Sequence, residues 1–171
     1  SLYAISKSTA CHLIDYYRLR HGVRASILFL ANHESELRPP TFFMPRLLDG
    51  LASAVRDPGA VVELKTLDFH CDWGCADEYM GIAIDVADTA LGEDFVVATG
   101  DTITGRALVT TLCEQLALDP DDCVTAVDGS DGQPEYHADI SKLERAIGRR
   151  PRQRAVDVAA RILRRNHSIE I

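Results

Sequence analysis

Ala25-Ser26-Ile27-Leu28-Phe29-Leu30-Ala31 is the stretch on which the fold turns. The run is short, uncharged and unbroken. It does not alternate, so it predicts a strand covered on both faces, the environment of a parallel sheet. A helix is expected just before it, over residues 4–20. There Ala10, Leu13, Ile14 and Tyr17 recur at helical spacing and form one apolar stripe. His21-Gly22 closes that helix with a residue suited to a left-handed cap.

Outward from this pair, helix and strand continue to alternate. Pro39-Pro40 breaks a loop, and a helix is expected over residues 43–55 with Met44, Leu48, Leu51 and Val55 on one side. Asp57-Pro58-Gly59 reads as a turn, residues 60–64 as a strand, 75–89 as a helix and 94–98 as another apolar strand. Thr102 or Thr104 is placed to cap a helix running to about residue 117. Asp119 to Asp122 reads as a break, residues 123–127 as a strand and 127–134 as loop. Two helices, over residues 139–147 and 152–164, follow on either side of Gly148 and Pro151. The alternation predicts an α/β fold. The strands are few for the length, and no Gly-x-Gly-x-x-Gly turn follows any of them. The expectation is therefore the C-terminal part of something longer.

Composition bounds what the chain does. Its 171 residues suffice for a domain with a real core. Hydrophobic residues make up 46% and charged residues 26%, and no apolar run approaches the ~20 residues of a membrane span. A net charge of -8 and a pI near 5.1 disfavour nonspecific binding to nucleic acid or to an anionic membrane. Eight arginines, from Arg145 to Arg165, crowd the C-terminal end, and a solvated face of the last helix is their simplest reading. Five cysteines without a secretory leader in residues 1–10 point to reduced thiols and a cytoplasmic setting. His70, Cys71 and Cys75 do not have zinc-pair spacing, so no metal is expected.

The chemistry-bearing pair is Tyr3 and Lys7. Four residues apart on a helix, phenol and ammonium share a face, and a neighbouring cation favours loss of a phenol's proton. Such a pair suits proton exchange with a reacting hydroxyl. The pattern alone is weak, because Tyr-x-x-x-Lys arises by chance in many helices.

Further blocks give it context. Ile27-Leu28-Phe29 leads to Asn32-His33-Glu34-Ser35, then Arg38 and Thr41-Phe42. Leu67-Asp68 precedes Asp72-Trp73-Gly74, Ala76 and Glu78-Tyr79, and Asp94 to Gly100 (DFVVATG) follows. With Tyr3 and Lys7, these blocks resemble, in order, the C-terminal half of an extended short-chain dehydrogenase/reductase, most closely the GDP-mannose 4,6-dehydratase family. The likeness is good over about residues 1–115. It implies the end of a Rossmann-type nucleotide-binding sheet in residues 1–35. Residues 36–171 would form mainly a small, mostly helical substrate domain with returns to the sheet.

The resemblance also implies roles. Tyr3 would be the catalytic tyrosine, and Lys7 would hydrogen-bond the nicotinamide ribose. His33 and Arg38 would contact NADP, while Asn32 and Arg46 would face the nucleotide-diphosphate sugar. The implied reaction oxidises the hexose at C4, eliminates water across C5 and C6 and returns hydride to C6, usually in a dimer or tetramer. The glycine-rich loop, the Ser or Thr partner of the tyrosine and the eliminating glutamate all precede Tyr3 in that family. The chain by itself is therefore expected to be inactive.

Duller readings stand beside these. His33 caps a loop, Glu34 and Asp72 stabilise loops without chemistry, Trp73 is a packing anchor, and Asp72 caps the next helix. Departures from the family pattern also matter. The family has two basic residues ahead of Asp-Trp-Gly, where His70 and Cys71 stand here. Its lysine after the Thr-Phe block is Arg46, behind Pro45, and its Arg-Pro-x-Glu is matched only by Gln133-Pro134-Glu135. These losses keep two alternatives open: a nucleotide-sugar 4-epimerase or reductase of the same superfamily, and a non-catalytic half-domain.

Overall fold

The computed structural model describes residues 1–127 and 136–171. The expected loop at 127–134 and the Gln133-Pro134-Glu135 match fall almost wholly outside those residues. Helix α1 spans Leu2–His21. Ser1 caps its start by accepting from the Ala4 N–H, and Gly22 closes it at φ 64°, a left-handed conformation that glycine adopts without a Cβ penalty. Strand β1 (Leu28–Leu30) lies parallel to β5 (Phe95–Val97), with Phe29 opposite Val96. The apolar run is thus a parallel strand, shorter than expected and continued after one residue by β2 (Asn32–Glu34). It is not covered on both faces as expected: Phe29 is 52% and Leu30 38% exposed, because α1 does not pack closely on it.

Strand β2 pairs in parallel with β4 (His70–Cys75), and β4 pairs antiparallel with β6 (Thr102–Thr104). Sequence reading placed no strand at either segment. The β4 run is interrupted by Asp72 and Gly74, which carry no strand signal of their own. A third sheet joins β3 (Val62–Leu64) to β7 (Val124–Ala126). Between these strands run α2 (Phe43–Arg56), α3 (Ala76–Thr89) and α4 (Gly105–Gln115), the last capped by the Thr104 hydroxyl. Asp119 to Asp122 is not a break but the start of a one-turn helix, α5 (Pro120–Cys123), with Asp119 as its cap. Helices α6 (Ser141–Ile147) and α7 (Ala155–Ile162) finish the chain, α7 running into a π-helical turn, Leu163–His167.

The larger core fills the space between α2, α4, α7 and strands β3 and β4. Leu47, Leu48 and Leu51 of α2 meet Leu108, Leu112, Val158 and Leu163 there, all essentially without solvent contact. Phe43, Phe69 and Trp73 cluster at its edge, Phe43 stacked on Trp73 with ring centroids 5.7 Å apart. A smaller core gathers Tyr79, Ile82, Val86, Phe95, Val97 and Leu143 between α3, β5 and α6. At Gly74 an added Cβ would lie 2.3 Å from the Tyr79 ring, so glycine is what lets α3 close on β4.

Helix α1 differs from all the others: none of its residues is buried. The stripe expected to pack is real in sequence but meets no core among the described residues. Leu13 is 55% exposed and Tyr17 46%. What ties α1 down is polar. Arg18 donates to the Ala25 carbonyl and, at 2.6 Å, to the Asp94 carboxylate, which also accepts from the Ile27 N–H.

Candidate active-site cleft

A cleft of about 820 Å³ opens where α1 passes β1 and β2. It is lined by Tyr3 and Lys7 of α1, by residues 26–31, and by Asn32, His33 and Arg38. The helical period puts Tyr3 and Lys7 on the same side, with the Lys7 ammonium 5.5 Å from the Tyr3 ring centroid. Both are well exposed, as is most of their helix, Cys11, Ile14 and Arg18 being half-buried. Five of the six residues singled out from sequence therefore meet in one place. Arg46 does not: it is exposed on the first turn of α2 and is not among the lining residues.

The end of the cleft beyond β1 is formed by Asn32 and His33 of β2, which β4 backs by parallel pairing. His33 is turned so that Nδ1 lies 2.9 Å from the Ala31 carbonyl, and its ring rests near Tyr79. Asn32 donates its amide to the Cys71 thiol at 2.8 Å. Burial pushes that thiol up to about 11, so it stays protonated at neutral pH and brings no charge to the site. Arg38 lies over the Phe42 ring at 3.9 Å, donates through Nη1 to the His33 carbonyl, and holds Nε 3.4 Å from Glu34 Oε2.

Sequence reading gave Glu34 and Asp72 no chemistry, and the structure gives each a distinct place. Glu34 is 3% exposed and does not line the cleft itself, but its carboxylate faces Arg38, which does. Burial pushes its carboxyl up to about 7, against the opposing pull of Arg38 and a hydrogen bond from Trp73. Asp72 is not a helix cap, since α3 begins after Cys75. It sits buried in mid-strand on β4, accepting from the Thr99 N–H at 3.0 Å, the Thr99 hydroxyl at 2.8 Å and the Gly100 N–H at 2.8 Å. It thereby fixes the turn after β5, a bond pattern that no local motif announces. Trp73 is the packing anchor expected of it, at 3% exposure.

The C-terminal arginines are not one solvated face. Arg161 is drawn inward against Glu36, the Cys75 sulfur and Asp77, and those carboxylates hold its guanidinium well above its ordinary value. Arg149, Arg150 and Arg154, ahead of α7, pair singly with Asp85, Glu144 and Asp101.

This arrangement, a Tyr-x-x-x-Lys helix beside the last parallel strands of an open sheet, defines the C-terminal half of an extended short-chain dehydrogenase. Solved structures agree on the fold. The chain superposes on RMD from Pseudomonas aeruginosa complexed with NADPH with a TM-score of 0.83 at 18% identity, covering 98% of this chain and 56% of that one. It superposes on a dTDP-glucose 4,6-dehydratase from Streptomyces venezuelae, with NAD bound, with a TM-score of 0.76 at 23% identity, covering 97% of this chain and 52% of that one. A profile of the GDP-mannose 4,6 dehydratase family matches residues 1–160, and the chain belongs to that family. Among curated relatives, GDP-mannose 4,6-dehydratase of Vibrio cholerae is 30% identical over 138 residues, 75% of this chain and 37% of the relative. That of Sinorhizobium fredii is 33% identical over 118 residues, 69% and 34%. The chain thus spans about a third of the length of the curated relatives it matches.

Proposed function

We propose that this chain supplies the proton-relay and substrate-side portion of a nucleotide-sugar 4,6-dehydratase acting on GDP-mannose, with NADP as cofactor. The observation that carries the reading is the shared cleft: Tyr3, Lys7, Asn32, His33 and Arg38 line one opening. Its volume lies within the ~300–1,000 Å³ typical of small-molecule sites. These residues fit the nicotinamide end of a dinucleotide, with a phenol and an ammonium at the opening and a guanidinium suited to phosphate at the far side. The chain holds no glycine-rich turn for the diphosphate, which in this reading comes from protein outside the 171 residues.

A bound nicotinamide would accept hydride from the sugar and give it back. The chain's own residues handle the C4 proton and part of the binding, while the elimination of water falls to groups outside the 171 residues. Tyr3 takes the proton of the C4 hydroxyl as that carbon is oxidised, and Lys7, on the same helix face, would hold the nicotinamide ribose. Asn32 orients the sugar nucleotide from the β2 end, and Arg46 meets its distal end only with a further element placed over α2. The uncovered face of α1, with Leu13, Tyr16 and Tyr17, is available to the rest of the sheet and to a second subunit. A reducing, cytoplasmic setting accords with five free thiols.

A second reading, a 4-epimerase or reductase acting on another nucleotide sugar, draws on Cys71. A neutral buried thiol holds the Asn32 amide where the family pattern has arginine. One experiment separates the two. The chain, assembled with its nucleotide-binding half, is given NADP and GDP-mannose, then UDP-, dTDP- and CDP-sugars, and products are followed by chromatography. A 4-keto-6-deoxy product from GDP-mannose is expected. Turnover of another sugar alone would move the assignment to the second reading, and no turnover of any would leave a non-catalytic half-domain.

A further inference from the structure

We propose that Glu34 is a positioning residue: it fixes the guanidinium of Arg38 so that one edge is left facing the cleft for an anionic ligand. Three contacts surround Arg38. Nε faces the Glu34 carboxylate at 3.4 Å, Nη1 donates to the His33 carbonyl at 2.9 Å, and the guanidinium plane lies 3.9 Å from the Phe42 ring centroid. Nη1 alone makes a hydrogen bond of good geometry, Nε is held in ion-pair contact, and Nη2 has neither among the described residues. Arginine presented in this way meets a phosphate with a preset direction, so less rotamer freedom is lost when the ligand binds.

The second observation is that the Glu34 arrangement is incomplete as it stands. Oε2 of Glu34 and Nε of Arg38 are both buried, and neither finds a hydrogen-bond partner of good geometry. A buried carboxylate left so is costly and is normally neutralised or paired. A small inward rotation of Arg38, as its Nη2 engages an anion, would close the 3.4 Å gap into a true hydrogen bond. Ligand binding and completion of the buried pair would then support each other.

The groups facing Glu34 are Arg38 on the loop that follows it, and Trp73, Cys71 and Cys75 on β4, Cys75 being its register partner. The Cys71 thiol stays protonated near neutral pH, so Arg38 and Glu34 are the pair that responds. The elevated Glu34 value puts that response in an accessible range. The inference rests on reading the cleft as the cofactor site, and it can fail separately from that reading.

The test uses the chain labelled with ¹⁵N, comparing wild type with Glu34→Gln and Glu34→Asp. Arg38 Nε is followed by NMR from pH 5.5 to 8.5, and NADP affinity is measured by calorimetry on the enzyme assembled with its nucleotide-binding half. We expect the wild-type Nε resonance to titrate, Glu34→Gln to flatten that titration with the amide spectrum otherwise kept, and Glu34→Gln to weaken NADP by about tenfold, the worth of one charged hydrogen bond. Glu34→Asp should recover part of both. Unchanged affinity in Glu34→Gln, or tighter binding from simple removal of a negative charge, would overturn the proposal. So would an Arg38 Nε signal indifferent to pH in wild type. If wild type fails to bind NADP, the cofactor reading falls, and the Nε titration still decides whether Glu34 holds the guanidinium.

Discussion

Helices α1 and α2 both carry an apolar stripe, yet they end in opposite surroundings. Leu48 of α2 has no solvent exposure, whereas Leu13 of α1 is 55% exposed. Periodicity announces that a face is apolar, and it does not say where the covering surface lies. For α2 that surface is α7, β3 and the turn after α7, within the same chain. For α1 the described residues provide almost nothing. The helix stays in place through its own hydrogen bonds and through Arg18 reaching Asp94. The contrast separates a core packed around α2 from a helix, α1, whose apolar face is uncovered among the described residues.

The largest expected effect breaks the comparison most directly. Leu48→Ala should lower unfolding free energy in urea by about 2–5 kcal/mol, because it opens a cavity in a filled core. Leu13→Ala should stay within about 0.5 kcal/mol in the isolated chain. Equal losses at the two sites would mean that α1 is packed after all. Next comes Asp72→Ala on β4, which removes the acceptor of the Thr99 and Gly100 N–H groups, the Thr99 N–H in a buried place, and leaves the Thr99 hydroxyl only its contacts with Asp101. A loss of roughly 3 kcal/mol is expected from such unsatisfied groups. Thermal unfolding measures it, and a neutral result would remove Asp72 as the brace of the turn after β5.

Third is pH. Glu34 has a folded-state value of about 7 against an ordinary 4.5. The folded form therefore holds this proton more tightly than the unfolded chain does. The stabilisation is complete below about pH 4.5 and is lost as pH rises through about 7, on the order of 3 kcal/mol if fully expressed. Unfolding free energy measured at pH 5.5 and 8 should fall more in wild type than in Glu34→Gln. A parallel fall in both would assign the trend to other groups. The smallest effect is Arg18→Ala, about 1 kcal/mol or less at this partly exposed pair. Its clearer readout is hydrogen exchange, in which α1 amides should lose protection while those of α2 keep theirs. Loss of protection in both would show that the two units unfold together.

Where the sequence was legible, the signals were local. Gly22, Thr104 and Gly148 mark helix ends by their own conformational or capping chemistry, and the apolar run before Asn32 marked a parallel strand. Tyr3 and Lys7 share a face because of the helical period alone. Strand β4 was illegible because its residues are held by neighbours on both edges, β2 and β6, rather than by strand propensity. The roles of Asp72 and Glu34 were hidden for a related reason: each depends on a partner brought near by sheet pairing or loop return. The inward turn of Arg161 toward Glu36 spans 125 residues of sequence, and no spacing rule reaches that far.

The account depends most on Tyr3 exchanging a proton with the sugar in the cleft it shares with Lys7. The direct measurement is the turnover rate on GDP-mannose with NADP, wild type against Tyr3→Phe, in the enzyme assembled with its nucleotide-binding half. Loss of a positioned acid–base group predicts a fall of about 10²–10⁴-fold with the fold intact. Equal rates would contradict the account.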